Sequence, residues 1–291
     1  MHATITKLIS KGPVVTDGAW GTQLQCQGLA VGACPDAWNL FQPQKVEQVA
    51  RAYVEAGSQV ILTNTFGSNR FILARHGLAE QVAEVNRAGV EISRHAAAGR
   101  AAVFASIGPT GVLLMMGQVS EDELKAAFVE QAEAIAQAGA DGIVVETMSD
   151  PAEAALAVAA AHETGLSVVA CMTFGSGAKK DRTMMGATPE QAAERLTAAG
   201  ADVLGSNCGQ GVVGMVEICR RLHDATDRPV WIKANAGLPE NVNGQTVYRQ
   251  TPAEFAEHVP SLLEAGARFL GGCCGTSPEF IRAVVERLRT R

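Results

Sequence analysis

Three cysteines are the residues of this 291-residue sequence best placed to do chemistry. Cys208 closes a short apolar run, DVLGSNC, and Cys273 and Cys274 close another, RFLGGCC. Three thiolates suit Zn²⁺, a borderline-soft ion that prefers tetrahedral coordination; three protein ligands leave a fourth position open, as in catalytic sites. Such a centre carries about one net negative charge, so it acidifies water less than a three-histidine zinc does. It suits holding another thiol. A free thiol has a pKa of about 8.5, leaving roughly 3% thiolate at neutral pH, and coordination removes the proton outright. The chemistry this predicts is alkyl transfer to a substrate thiol. Spacing alone leaves two other readings open, a Cys273–Cys274 redox couple and inert packing.

Adjacent residues of a strand point to opposite faces. Cys273 and Cys274 therefore reach one ion only if the strand has ended and the backbone turns. Gly271, Gly272 and Gly275 bracket the pair and Gly209 follows Cys208, which permits such turns. Of the other cysteines, Cys171 lies inside a predicted strand and Cys219 in a predicted helix; Cys26 and Cys34 receive no role. An odd total of seven is compatible with a reducing compartment without disulfides.

The elements that must bring these sulfurs together are written in a repeat. Ala56-Gly57-Ser58, Ala138-Gly139-Ala140, Ala199-Gly200-Ala201 and Ala265-Gly266-Ala267 each follow an amphipathic stretch and precede a short apolar strand. Glycine just past a helix is the favoured cap, and near-continuous apolar strands are those buried on both faces. The copies recur at about twice the length of one βα unit, so an unmarked strand belongs between each pair. Residues 101–109, 166–174 and 228–237 supply them, and 14–17 begins the series. Eight strands, each followed by a helix, predict an α/β fold of the (β/α)8 TIM-barrel class, one domain over residues 1–291. A doubly wound sheet fits less well, because no glycine-rich phosphate fingerprint follows the first strand. In a barrel, function gathers at the strand C-termini, and the cysteines, Asp17, Glu146 and Asn235 all fall there.

Composition narrows the classes. Apolar residues make up 47% and charged residues 19%, which excludes a disordered chain. A net charge of −6 argues against nucleic acid or an anionic membrane as partner. The start lacks the apolar core of a signal peptide, and no uncharged run reaches membrane-spanning length, so a cytoplasmic location is expected.

Seven motifs together resemble the homocysteine S-methyltransferase family along essentially the whole chain: DGAWGT from Asp17, TNTFGSN from Thr63, GPTG from Gly108, VET from Val145, GSNCG from Gly205, NAGLP from Asn235 and GGCCGTSP from Gly271. The resemblance implies a (β/α)8 barrel whose zinc is held by Cys208, Cys273 and Cys274, and transfer of a methyl group to the thiol of homocysteine to give methionine. The first motifs look most like the homocysteine module of cobalamin-dependent methionine synthase. A chain of 291 residues has no room for that enzyme's other modules, so the methyl donor is expected to be a small molecule or a methyl-corrinoid on a separate protein. Another thiol acceptor, or a non-catalytic zinc-containing partner of a corrinoid protein, are the alternatives.

An amino-acid substrate needs an acceptor for its ammonium and donors for its carboxylate. Glu146, in the apolar run VVETM, would be costly if buried unpaired, and a bound ammonium offsets that cost; pairing to a neighbouring Arg or Lys is the bland alternative. Asp17 shares the task or shapes the turn before Gly18. The N–H groups of Gly18 and Ala19, and of residues 108–111, are candidate carboxylate donors. Asn235 is expected to attend the metal when no substrate is bound, with Asn207 and Thr65 as lining residues. Lys179-Lys180-Asp181-Arg182 reads as solvated loop or as a steering patch for a donor protein. The six histidines all fall on predicted helices, at helix ends or at the terminus, so no histidine general base is expected.

Overall fold

The computed structural model describes residues 1–242 and 245–290. Its strands are β1 (Val14–Val15), β2 (Val60–Leu62), β3 (Ala102–Ile107), β4 (Gly142–Met148), β5 (Ser167–Met172), β6 (Val203–Gly211), β7 (Val230–Asn235), β8 (Glu240–Val242), β9 (Gln245–Val247) and β10 (Ala267–Gly272). Eight of them form one parallel sheet in the order β1-β10-β7-β6-β5-β4-β3-β2, with helices between, and β8 and β9 pair as a separate antiparallel hairpin. The sheet closes between β1 and β2 without a regular ladder. Gln59 does the closing: its backbone N–H donates to the Val15 carbonyl at 2.7 Å, and its side-chain oxygen accepts from Val15 N–H at 2.9 Å. The (β/α)8 barrel expected from the repeats is the fold observed.

The repeat glycines behave as caps. Gly57, Gly139, Gly200 and Gly266 all have positive φ. At Gly266, φ is 101° and a Cβ would run into the His223 ring, so conformation and space both demand glycine.

Alternation along each strand sorts side chains into two shells. Ile143, Val145, Ile232 and Leu270 face the helices within the larger apolar core. Val144, Val169, Val203, Phe104, Trp231 and Phe269 fill the barrel axis. Trp231 is fully buried and stacks with Phe104 and Phe269, ring centroids 6.3 and 5.0 Å away. A Cβ at Gly205 would collide with the Trp231 carbonyl, so glycine leaves the space the axis needs. The helix Ala3–Ile9 plugs the lower end, with Ile5 joining the axial cluster. The lower barrel is therefore a packed core, and any chamber must lie above it, toward the strand C-termini.

Candidate active site

Cys208 sits where β6 leaves its ladder with β7: Asn207 pairs with Lys233, but the next partners are Gly211 and Asn235. The residues between bulge out, as bulges near active sites do to re-aim a side chain. Cys208 adopts φ 59° and Thr147, at the matching end of β4, φ 62°. Left-handed backbone costs roughly 1–2 kcal/mol for each such residue and persists only where the surroundings impose it. Asn207 ties the two together: its Oδ1 accepts from Thr147 N–H at 2.7 Å and its Nδ2 donates to Thr147 Oγ1 at 2.7 Å.

β10 ends at Gly272, so Cys273 and Cys274 lie on the turn that their shared reach requires. That turn is clamped from three sides. Cys273 N–H donates to the Ala234 carbonyl at 2.7 Å, Ala236 N–H to the Cys274 carbonyl at 3.0 Å, and Thr276 Oγ1 to the Cys273 carbonyl at 2.7 Å. The three sulfurs lie within 4.8 Å of one another, the one group of three potential metal ligands found among the described residues. Cys208 Sγ and Cys274 Sγ are 3.8 Å apart. Two sulfurs on a tetrahedral zinc with Zn–S of 2.3 Å would be separated by about 3.8 Å, so the donor set fits that ion in kind and in spacing. Hydrogen bonds from Cys273 and Cys274 hold the Cys208 thiol far below the usual range, and the same contacts push Cys273 and Cys274 up. Asn235 donates to Cys208 while its Oδ1 is buried without a partner. Tyr248, just after β9, lies against Gly275 and hydrogen-bonds Cys274.

Beneath the sulfurs, one polar layer rests on the aromatic core. Glu146 is 8% exposed; its Oε1 accepts from Ser106 Oγ at 2.6 Å and its Oε2 from Asn207 Nδ2 at 3.3 Å. The same Asn207 nitrogen lies 3.8 Å from Cys273 Sγ, so carboxylate and sulfur cluster share a donor. Burial raises the Glu146 pKa, with Lys233 and Ser106 opposing. Asp17 is fully buried. Its Oδ1 takes the Lys233 ammonium at 2.5 Å, and its Oδ2 takes Trp20 Nε1 and Leu62 N–H, each at 2.7 Å. Burial works against the charge on Lys233, but Asp17 and Glu146 outweigh it, and its pKa is raised.

Sulfurs and polar layer open into one cavity of about 420 Å³, whose remaining walls include Trp20, Phe66, Ile72 and Pro109. Several large apolar side chains stand exposed on the loops that follow the strands, among them Phe66, Leu113, Met115, Met116, Met184 and Leu238.

A family model described as homocysteine S-methyltransferase matches residues 14–288. The chain belongs to the homocysteine S-methyltransferase family. It is 31% identical to methionine synthase of Mycobacterium tuberculosis and 30% identical to that of Mycobacterium leprae, over 95% and 96% of its length. It spans about a quarter of those relatives, 25% and 24%. In fold it is similar to the metallated form of the homocysteine methyltransferase MmuM from Escherichia coli, with a TM-score of 0.82 at 23% identity, covering 98% of this chain and 99% of that one.

Against the residues singled out in the sequence, this family barrel brings Cys208, Cys273, Cys274, Glu146, Asn207 and Asn235 together. Glu146 makes no ion pair among the described residues. Asp17 is at the site, but its carboxylate already has three donors. Gly18 and Ala19 line the cavity, though Ala19 N–H donates to Thr276 Oγ1 at 3.1 Å. A Cβ on Gly18 would sit 2.7 Å from the Tyr53 hydroxyl, so close packing accounts for that glycine. In the GPTG turn, Gly108 N–H goes to the Phe66 carbonyl and Thr110 N–H to Glu153, leaving neither for a ligand. Cys171 and Cys219 are buried away from the sulfur cluster. The Lys179–Arg182 run is an exposed loop in which Asp181 pairs with Arg221 at 2.6 Å and the Lys180 carbonyl accepts from Gln210.

Lys233, Ser106, Trp20, Tyr248, Cys34 and His76 belong to the site and were not among the sequence candidates. For Lys233 a signal existed. It precedes Asn235 by two residues on the same strand face and is the one charge in VWIKAN. Cys34 and His76 reach the cavity wall from loop and helix-end positions that carry no such periodicity.

Proposed function

We propose that residues 1–291 form one homocysteine-binding barrel acting as a zinc-dependent S-methyltransferase, with homocysteine as acceptor and methionine as product. The observation that carries this reading is the pairing of three converging thiols with a buried carboxylate that lacks an ion-pair partner, both facing one cavity. Cys208, Cys273 and Cys274 would hold the metal. Zinc bound there would supply deprotonation of an incoming thiol without a protein general base. Glu146 receives the substrate ammonium, which offsets the cost of keeping that carboxylate buried. Asn207 fixes the Glu146 oxygen relative to Cys273 and so sets the separation between the two ends of the substrate. Asn235, with its unpartnered oxygen, caps the sulfur cluster from β7. Trp20 and Phe66 exclude water from the thiolate.

Zinc content and homocysteine methylation, measured together for wild type and for Cys208→Ala and Cys274→Ala, test the reading. Joint loss of metal and activity is expected; full zinc retention in both variants would refute the site. The donor is a small methylated molecule or a methyl-corrinoid carried by another protein. The exposed apolar side chains on the loops that follow the strands, of which Phe66 lines the cavity, favour the second source, since exposed apolar surface suits a protein partner better than water. A screen of S-methylmethionine, S-adenosylmethionine, betaine, methylcobalamin and a methylated corrinoid protein separates them.

A further inference from the structure

The polar layer contains a lysine that the reaction does not require. Lys233 is 2% exposed and lines the cavity beside two carboxylates. It is not shared evenly between them: its Nζ pairs with Asp17 Oδ1 and forms no ion pair with Glu146 among the described residues. Asp17 cannot swing away, because Trp20 Nε1 and Leu62 N–H hold its other oxygen. The contact to Leu62 also helps join β1 to β2, so the carboxylate is part of the barrel closure. Glu146 is held differently. Its Oε1 has a short bond from Ser106, but its Oε2 has only the 3.3 Å bond from Asn207. One oxygen is left loosely satisfied and turned toward the sulfur side.

Two buried carboxylates and one ammonium leave a single negative charge uncompensated. A buried charge of that kind is stabilised only by a partner, so the layer has room for one more cation, and Glu146 is the place for it. Resting on the homocysteine reading above, we infer that Lys233 is a specificity-determining residue: it occupies Asp17, leaves Glu146 as the sole ammonium receptor, and so restricts the acceptor to thiols carrying one ammonium near the sulfur.

The test compares homocysteine with 4-sulfanylbutanoate, which lacks only the amino group, by calorimetric binding to zinc-loaded protein. With Asp17→Asn, Lys233 loses its partner, turns to Glu146 and competes with the substrate ammonium. The affinity ratio between the two thiols is expected to fall about tenfold or more, the effect of one lost charge contact. Adding Lys233→Met to Asp17→Asn removes the competitor and is expected to return the ratio to within about threefold of wild type. A general loosening of structure would weaken both thiols and would not be repaired by a second substitution. A wild-type preference that Asp17→Asn leaves intact, or that the double variant fails to restore, overturns the inference alone. Absence of any preference in wild type overturns the homocysteine reading and the inference with it. Should Asp17→Asn not fold, the double variant decides: a ratio near wild type is expected, and a tenfold loss would mean that Asp17 itself receives the ammonium.

Discussion

Trp231 and Lys233 on β7 stand two positions apart on one strand face, as do Val144 and Glu146 on β4. The first of each pair lies in the dry lower axis of the barrel, against Phe104, Phe269 and the plugging helix. The second lies in the polar layer that forms the floor of the cavity. Both layers are built by the same strands and both are nearly inaccessible to water, yet they do opposite work. The lower layer contributes stability, because fully buried aromatics bring large apolar area and stacking. The upper layer spends stability on function: it buries three charged groups and positions two left-handed residues beside the sulfurs. Substitutions in the two layers should therefore separate folding from chemistry.

The largest expected effect is at the sulfurs. Cys208→Ala or Cys274→Ala should lower bound zinc from about one per chain to a small fraction and remove methyl transfer, since two remaining ligands make a poor zinc site. Metal analysis beside a melting curve checks this, and the curve of the metal-free protein should barely move. Next comes the lower layer. Trp231→Ala should cost about 3–5 kcal/mol in denaturant unfolding, while the folded fraction still binds zinc; a loss of zinc uptake in that fraction would break the separation of layers.

Glu146→Gln should act in both directions at once. Homocysteine affinity should fall by about tenfold or more, as expected when one partner of a desolvated charge pair is removed. Stability at neutral pH should rise. The sign follows from burial raising the folded pKa of Glu146 above its ordinary value of 4.5. The unfolded chain ionises first as pH increases, so this group's contribution turns against the fold between the unfolded and folded pKa values. Gln is spared that loss, and melting curves of the two proteins should converge at acidic pH. The smallest effect is expected far from either layer. Ser120 caps the helix Glu121–Gln137 through a reciprocal bond with Glu123, and Ser120→Ala should cost about 1 kcal/mol with zinc and substrate binding unchanged.

The sequence revealed most of the fold and about half of the site, for different physical reasons. Helix-capping glycines and two-face-buried strands are local signals, so the βα repeat was readable from Gly57, Gly139, Gly200 and Gly266 alone. Cys208, Cys273 and Cys274 were readable because strand ends in a barrel converge, whatever their distance in sequence. The pairing of Asp17 with Lys233 was not, because it depends on whether the segment just past β1 and an inward position of β7 share a height around the barrel. The bulge after Asn207, which turns Cys208 inward, likewise follows from register with β7 and not from the GSNCG motif. His76 and Cys34 enter the cavity through loop geometry, which no strand or helix period encodes. The GPTG turn shows the converse: a motif with the form of an anion cradle commits the N–H groups of Gly108 and Thr110 to Phe66 and Glu153.

X-ray absorption at the zinc edge, on zinc-loaded protein before and after addition of homocysteine, addresses the central claim most directly. Three sulfur ligands and one lighter atom are expected without the substrate, and four sulfurs with it. A sulfur count that does not change on saturation with homocysteine would contradict the claim that this three-thiol site exists to receive a fourth.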